Sequence, residues 1–490
     1  VVGLSCPDTV TGAVTVSSVL TPFTSSTSTV SMGEIEENED EGIEASSAIS
    51  FEVDFTSFAQ AHIYSGSAAM LSLTVNGATA VSDATSRAYA GLAGSAGSIT
   101  VTNSAASSAL ADIRNQSFAA LSVGIMGGTS FSLGRFDALL DLNGSLSCSK
   151  ITVTNTWSSV SDSEVTPAVG GVTLSLANAT VNFSVAQAGT EARTGITGSG
   201  KLTCTSDITV SSNGQSLAKA YVNTPLFSIS GIDVVANAVA ADNRVRQYTY
   251  IEDIELAVTN GVKVESNLNK GASSDLESAA FRGAVARVGS SVKGFDGIEV
   301  SYVGVHVTIA VAKYTAENIA YIENVSGSVG GALTVTAEGT AFADAAVISG
   351  SSIGYYSGTV NVIVAIASGR TEAYLATDAE LEVGTAEITA DSTVHADGVS
   401  SQASNGISVH VAGIETNTAV TDASGRTLSG IRGKGRLKAV GTIRVKATGR
   451  ASAHSAVSGA TISVEAVSIA ANNSAATVSA VTEAYIEDET

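Results

Sequence analysis

Along most of this chain apolar and polar residues alternate one for one, the period of an extended strand with one face covered. The alternation is marked by a recurring block of the form apolar–x–Val–x. It stands at Val14-Thr15-Val16, Ile99-Thr100-Val101, Ile151-Thr152-Val153, Ile208-Thr209-Val210, Val262-Lys263-Val264, Leu333-Thr334-Val335, Ile388-Thr389-Ala390 and Ile443-Arg444-Val445. Successive anchors are 85, 52, 57, 54, 71, 55 and 55 residues apart, so five of the seven gaps fall between 52 and 57. Two further features keep step. One is a Gly-led alternating strand, at Gly304-Val305-His306-Val307, Gly358-Thr359-Val360-Asn361-Val362 and Gly406-Ile407-Ser408-Val409. The other is Ala-Tyr before an acidic turn, at Ala320-Tyr321-Ile322-Glu323-Asn324, Ala373-Tyr374-Leu375 and Ala484-Tyr485-Ile486-Glu487-Asp488, with Tyr250-Ile251-Glu252-Asp253 in the same set.

A fixed internal period built from strands is the signature of a solenoid. The expected fold is all-β, a right-handed parallel β-helix of ~55-residue repeats, each long enough for two or three coils. The four prolines, Pro7, Pro22, Pro167 and Pro225, leave the second half free to pair without interruption. A string of β-sandwiches would show a ~100-residue period and aromatic anchors; the chain has one tryptophan, Trp157. The 85-residue gap holds an acidic run, Glu34 to Glu44, expected to leave the stack as a solvated loop. Residues 1–45 therefore read as a first coil with an inserted loop, and 46–490 as continuous repeats. The 71-residue gap predicts a second loop around Asn267 to Ser274.

Composition sharpens this picture. Of 490 residues 44% are hydrophobic but only 5% aromatic and 14% charged. The core is thus built from Val, Ile, Ala and Leu, in the manner of a fibre or surface protein. With 24 basic against 46 acidic residues the net charge is −22, which argues against nucleic acid and anionic membranes as partners. The longest apolar stretches, such as Val305 to Ala312 and Val360 to Ala367, are of strand length, too short for a membrane span.

No motif in the chain carries chemistry. His62, His306, His395, His410 and His454 show no helical metal-site spacing, and alternation places His306 and His410 on the outward face. Gly198-Ser199-Gly200 reads as a turn, since no helix follows, and no nucleophile elbow or phosphate loop is present. The pairs Glu252–Asp253 and Glu487–Asp488 read as solvated turns, not as a glycosidase acid–base pair. The densest basic patch is Arg432, Lys434, Arg436 and Lys438, thin for an enzyme acting on acidic polysaccharide. No catalytic, cofactor-binding or metal-ligating residue is assigned, and no cofactor is expected.

The blocks Ala320-Tyr321-Ile322 and Thr482-Glu483-Ala484-Tyr485-Ile486, each after an alternating strand, resemble the repeats of leukotoxin-type filamentous adhesins of bacterial surfaces, similar in architecture to filamentous haemagglutinin. The resemblance runs from about residue 46 onward and carries no functional residue with it. It implies an extracellular β-helical shaft or fibre. The reading is therefore a structural surface protein, not an enzyme, with an adhesive module binding glycan or host protein through inserted loops as the alternative, and a polysaccharide-degrading β-helix enzyme after that. The expected partner is a second copy, head to tail, or more of a longer parent chain.

Three geometric expectations follow. The phrases Leu4-Ser5-Cys6, Leu146-Ser147-Cys148 and Leu202-Thr203-Cys204 share a column with Leu437-Lys438-Ala439. At two coils per repeat, Cys148 and Cys204 stand ~10 Å apart, beyond disulfide reach. Tyr250, Tyr321, Tyr374 and Tyr485 share a phase and should line one side of the rod. The phrase ending at Thr490 runs in phase into the one at Val1, so stacked copies would build a filament of rods ~80–100 Å long.

Overall fold

The structure, a computed structural model, describes residues 2–6, 14–20, 48–167, 172–225, 227–273, 278, 280–289, 298–349, 351–402, 407–458 and 462–487. The described residues form one sheet of 20 strands in which every pairing between strands is parallel, a parallel β-helix. Glu34 to Glu44 lies outside the described residues.

One repeat is one turn. Ile49, Ile99, Ile151, Ile208, Val262, Leu333, Ala386 and Ile443 stand in a single column, each the direct ladder partner of the next, so the anchor expected at Ile388 is corrected by two residues: Ile388 pairs with Val335 and Val445. The expectation of two or three coils per repeat is corrected accordingly. The physical reason is the shape of the turn. Fifty-odd extended residues have a contour of roughly 180 Å, and a round coil of that size would be hollow. Here the turn is pressed flat. In the turn that opens at Lys150, a first wall, Lys150–Thr166, faces a second, Val172–Gly198, and the short strand Lys201–Cys204 closes the circuit. The next turn repeats the plan with Ile208–Asn223, Phe227–Glu252 and Glu255–Val258. Pro167 and Pro225 sit where the first wall gives way to the second, outside the ladder that proline cannot join.

The 85-residue gap also resolves differently. It contains a further turn, opening at Ile49, which pairs with Val14 on one side and Ile99 on the other. The 71-residue gap holds a turn at Asn269 to Gly271 beyond the strand Val262–Leu268, close to the loop expected there. The Gly-led blocks do not share one column: Gly358 pairs with Val305 and Ile414, so the third block stands several residues out of step.

The interior changes character across the flattened section. At the closing side it is aliphatic. Leu146, Leu202, Leu256, Leu381 and Leu437 follow one column, and Cys148, Cys204, Val258, Val329, Val383 and Ala439 the next inward one. Burying each such side chain contributes about 1.5–3 kcal/mol. In the middle, alanine columns let the walls approach, and small polar side chains bond across the gap. Ser57, Ser82, Ser107, Ser132 and Ser159 form a zigzag of hydroxyl contacts of 2.8, 2.9, 2.9 and 3.0 Å that steps from wall to wall up the axis. Trp157 fits this narrow region because Gly214 lies over it: a Cβ there would stand 2.1 Å from the indole, whose Nε1 donates to Gln247 at 2.9 Å.

The cysteine geometry is corrected with the turn count. Cys148 and Cys204 are direct ladder partners on adjacent turns, about 4.8 Å apart and inside disulfide reach. Both are nevertheless buried free thiols, with Cys148 Sγ 3.8 Å from the Thr203 carbonyl and Cys204 Sγ 3.3 Å from that of Ser149. Cys6 does not share their column, since it pairs with Leu92.

Candidate functional site

At the end of the section away from the aliphatic core, where the first wall turns into the second, the inward side chains are polar. Asn178, Asn182, Asp233, Asn237, Thr308 and Asn361 line a cavity of about 150 Å³. The alternation that puts Val181, Val234 and Val305 outside puts these inside. Asparagines stack as a ladder along the axis: Asn182 Nδ2 donates to Asn237 Oδ1 at 2.8 Å, and Asn361 Nδ2 to Asn417 Oδ1 at 2.8 Å. Thr308 stands in the same column between the two pairs. The break leaves Asn361 Oδ1 without a hydrogen-bond donor, and Asn182 Oδ1, above Met126, is in the same position.

Two adjacent turns bring Asp233, Glu299 and His306 together in this cavity, one ligand atom of each lying within 4.8 Å of the others. His306 Nε2 is 3.2 Å from Glu299 Oε2 and 4.0 Å from Asp233 Oδ2. Around them, Ser301 Oγ donates to Glu299 Oε1 at 2.9 Å and Asn178 Nδ2 to Asp233 Oδ1 at 2.8 Å. Burial pushes His306 down, but the Glu299 carboxylate outweighs it and holds the imidazole above its ordinary value. Burial likewise raises Glu299, and the His306 ring and the Ser301 hydroxyl bring it net below the usual range. Burial, then the neighbouring Glu299 charge, holds Asp233 up. The cluster thus favours the charged forms of His306 and Glu299 and disfavours the ionised form of Asp233. Its oxygen and imidazole atoms could also hold a divalent cation, which would have to displace the imidazole proton.

The sequence reading missed this cluster and had the histidines facing outward. His306 faces the cavity, and His410 is buried with its Nδ1 2.9 Å from Ser408 Oγ. The usable signal was register: Asp233 pairs with Gly304 and Val235 with His306, so the carboxylate and the ring are near-diagonal neighbours. With one turn per repeat the two rows can be aligned by eye.

The tyrosine column is present. Tyr250, Tyr321 and Tyr374 are successive ladder partners whose rings stack at centroid distances of 5.2 and 5.1 Å. Gly430 follows Tyr374 in the column, and Tyr485 follows Gly430. Two of the rings are tied to the turn before them: Tyr321 donates to Glu252 at 3.0 Å and Tyr374 to Glu323 at 2.7 Å. Arg432, from the basic patch, lies 4.2 Å from the Tyr374 centroid. Lys438 pairs with Glu382. Two of the acidic motifs are turns: Asp253 and Asn324 both take left-handed backbone, φ 59° and 52°, which short polar side chains tolerate best, while Asp488 lies outside the described residues. Gly198, at φ 135°, likewise turns the chain into the closing strand.

On the outer surface of the first wall a groove of about 490 Å³ is lined by Asp54, Thr156, Asn213, Gln215, Asn267 and Lys270. No helix among the described residues is long and apolar enough to cross a membrane. Comparison with family models, curated proteins and solved structures finds no match to this chain.

Proposed function

We propose that this chain is a structural extracellular surface protein, a β-helical fibre subunit or adhesin shaft of the leukotoxin-type kind, which stacks head to tail into a filament. The observation that carries the reading is the commitment of the chain to one ladder. From Ile49 to Ile443 each turn pairs along most of its length with its neighbours. Among the described residues the strand Ile462–Ile486 pairs on one side only, with the strand Ile407–Arg432. Its other side offers backbone donors and acceptors that a further turn would complete, whether from another copy or from a longer parent chain.

Electron microscopy of the purified chain across a concentration series tests this. At one turn per repeat, eight turns span about 40 Å along the axis, half the length the two-coil reading gave. Filaments that lengthen with concentration are expected; separate ~40 Å rods at high concentration overturn the polymer. The groove at Asn213 and Asn267 favours a second reading, an adhesive module that grips a glycan, because hydroxyl-matching amides and a lysine line it along several turns. Glycan-array binding lost on Asn213→Ala with Asn267→Ala would favour that reading over a plain shaft.

A further inference from the structure

Over every turn from Ala48 to Ile486 the outward face of the first half of the second wall is apolar, whereas farther along the same wall exposed positions include Arg135, Arg244 and Arg370. Leu71, Leu121, Ala177, Ile232, Val303, Tyr356, Ala412 and Val467 form one outward column. The next outward column runs Leu73, Val123, Ala179, Val234, Val305, Gly358, Ile414 and Ile469, and the one after it Val75, Ile125, Val181, Ala236, Val307, Val360, Thr416 and Ala471. These side chains are open to solvent: Leu73 is 74% exposed, Ile232 49%, Ile414 54% and Ile469 58%. The columns on either side, through Leu174, Ile229 and Ile353 and through Val185, Val311 and Val420, continue the pattern. None of these columns holds a charged residue, in a chain with 70 of them. The first wall is the opposite: its outward positions include Glu387, Asp391, Arg444, Lys446 and Arg450, all on the last two turns.

An amphipathic sheet ordinarily hides its apolar side and wets its polar side. Here the first half of the second wall carries Asn178, Asn182 and Asp233 inward and its aliphatic side chains outward. The hydrophobic effect therefore leaves this face uncovered within one copy. Eleven residues by eight turns give a plate of roughly 35 by 35 Å, about 1,200 Å² in plan, against the few hundred Å² that monomers usually expose.

We propose that this plate is the contact between two copies of the chain, packed wall to wall as two sheets about 10 Å apart. Two arguments select a second copy. The first is area: pairing two such plates buries at least about 2,400 Å², in the range of stable homodimers and well above a transient contact. The second is charge. Two molecules of net charge −22 repel, and the one face on which they can meet without opposing like charges is this neutral one. The acidic run Glu34 to Glu44 has no matching chemistry for it. Association therefore tightens as salt screens the charged remainder of each copy. The inference goes beyond axial stacking: it is lateral, closed after two copies, and independent of the ladder ends.

Sedimentation velocity over about 1–50 µM, with negative-stain microscopy of the same samples, tests it. The probes are the wild-type chain, the double variant Val234→Lys with Val305→Lys on adjacent turns of the plate, and Thr152→Lys on the other wall as control. Circular dichroism and thermal melting verify that each is folded. The expected result is a dimer, or double-width rods if axial stacking also occurs. The double variant should weaken pairing by 100-fold or more, giving monomers or single-width rods, while Thr152→Lys stays paired. Wild-type monomers, or wild-type filaments of single width, overturn the pairing, and the latter leaves axial stacking standing. A folded double variant that still pairs also overturns it. So does a monomeric wild type that floats with phosphatidylcholine vesicles when the double variant does not, since the plate would then be a lipid contact.

Discussion

His306 sits between two carboxyls whose proton affinities are displaced in opposite directions, and this fixes the sign of the pH response. Its folded value is raised, so its contribution is present in full below the unfolded value near 6.5 and is lost as pH rises through the folded one. Glu299, lowered, contributes above its unfolded value and loses that as pH falls through the folded one. Asp233, raised, works the other way: its ionised form costs stability at neutral pH, and the cost is relieved on acidification. His306→Asn should therefore be less stable than wild type by about 1.5–3 kcal/mol near pH 6, the scale of a charge-assisted hydrogen bond. The deficit should shrink steadily toward pH 9 in urea titrations; a deficit independent of pH would show the ring to be mere packing. The thiols make a second residue-level case. The Cys204 sulfur beside it, with burial, holds the Cys148 thiol well up, and the same contact brings Cys204 below the usual thiol range, so it is the enclosure of both side chains that keeps a reagent away. In native protein at about pH 8, peptide mapping should find Cys148 and Cys204 unmodified by a disulfide reagent, and both should react promptly once guanidinium unfolds the chain.

Side-chain ladders are the natural element of this molecule, and each has a place where it is broken. In the asparagine ladder the break is Thr308. An asparagine there has nearly the same volume, and pointed like its neighbours it would give Asn361 Oδ1 the donor it lacks. Thr308→Asn should raise stability by about 1 kcal/mol, read as a higher urea midpoint at unchanged slope. In the tyrosine ladder, Tyr321→Phe keeps the stacked ring but removes the donor to Glu252. The loss should be about 1–2 kcal/mol and should exceed that of Tyr302→Phe, whose ring lies on the exposed face. These ladders also show what could be read in the chain beforehand. Columns announced by bulky or repeated residues were legible: the isoleucine anchors, the Leu–x–Cys phrase at Cys148 and Cys204, and the tyrosines. Columns of Ser, Asn and Ala were not, because such residues are common everywhere in this chain and only register makes them neighbours. The turn count failed for the same reason. It is the unremarkable serines and alanines between the walls that let one 55-residue turn lie flat, and nothing in the spacing of the anchors reveals how thin the interior is. Likewise the alternation was visible, but which of its two faces looked inward was not, and at His306 the apolar face is the outer one.

At the scale of the whole molecule, the turn is the unit of cooperation. A turn has almost no partners within itself except across the thin interior; its backbone bonds go to the turns above and below. A fragment holding one turn, residues 98–148, should be unstructured by circular dichroism, whereas residues 98–258, three turns, should show strand signal and a melting transition. A transition in the single turn would mean that wall-to-wall contacts, and not the ladder, hold the fold.

The direct pairing of Ile49 with Ile99, and of Val262 with Leu333, has a consequence in time as well as in space. Whatever makes this polypeptide delivers it one residue after another, and from Ile49 onward a strand just delivered finds no bonding partner ahead of it until 50 to 71 further residues have followed. Only the turn already laid down can receive it. The molecule is therefore suited to growing as a wall of bricks grows, each course set on the last, and the slowest event is the first course, where two turns must meet with nothing beneath them.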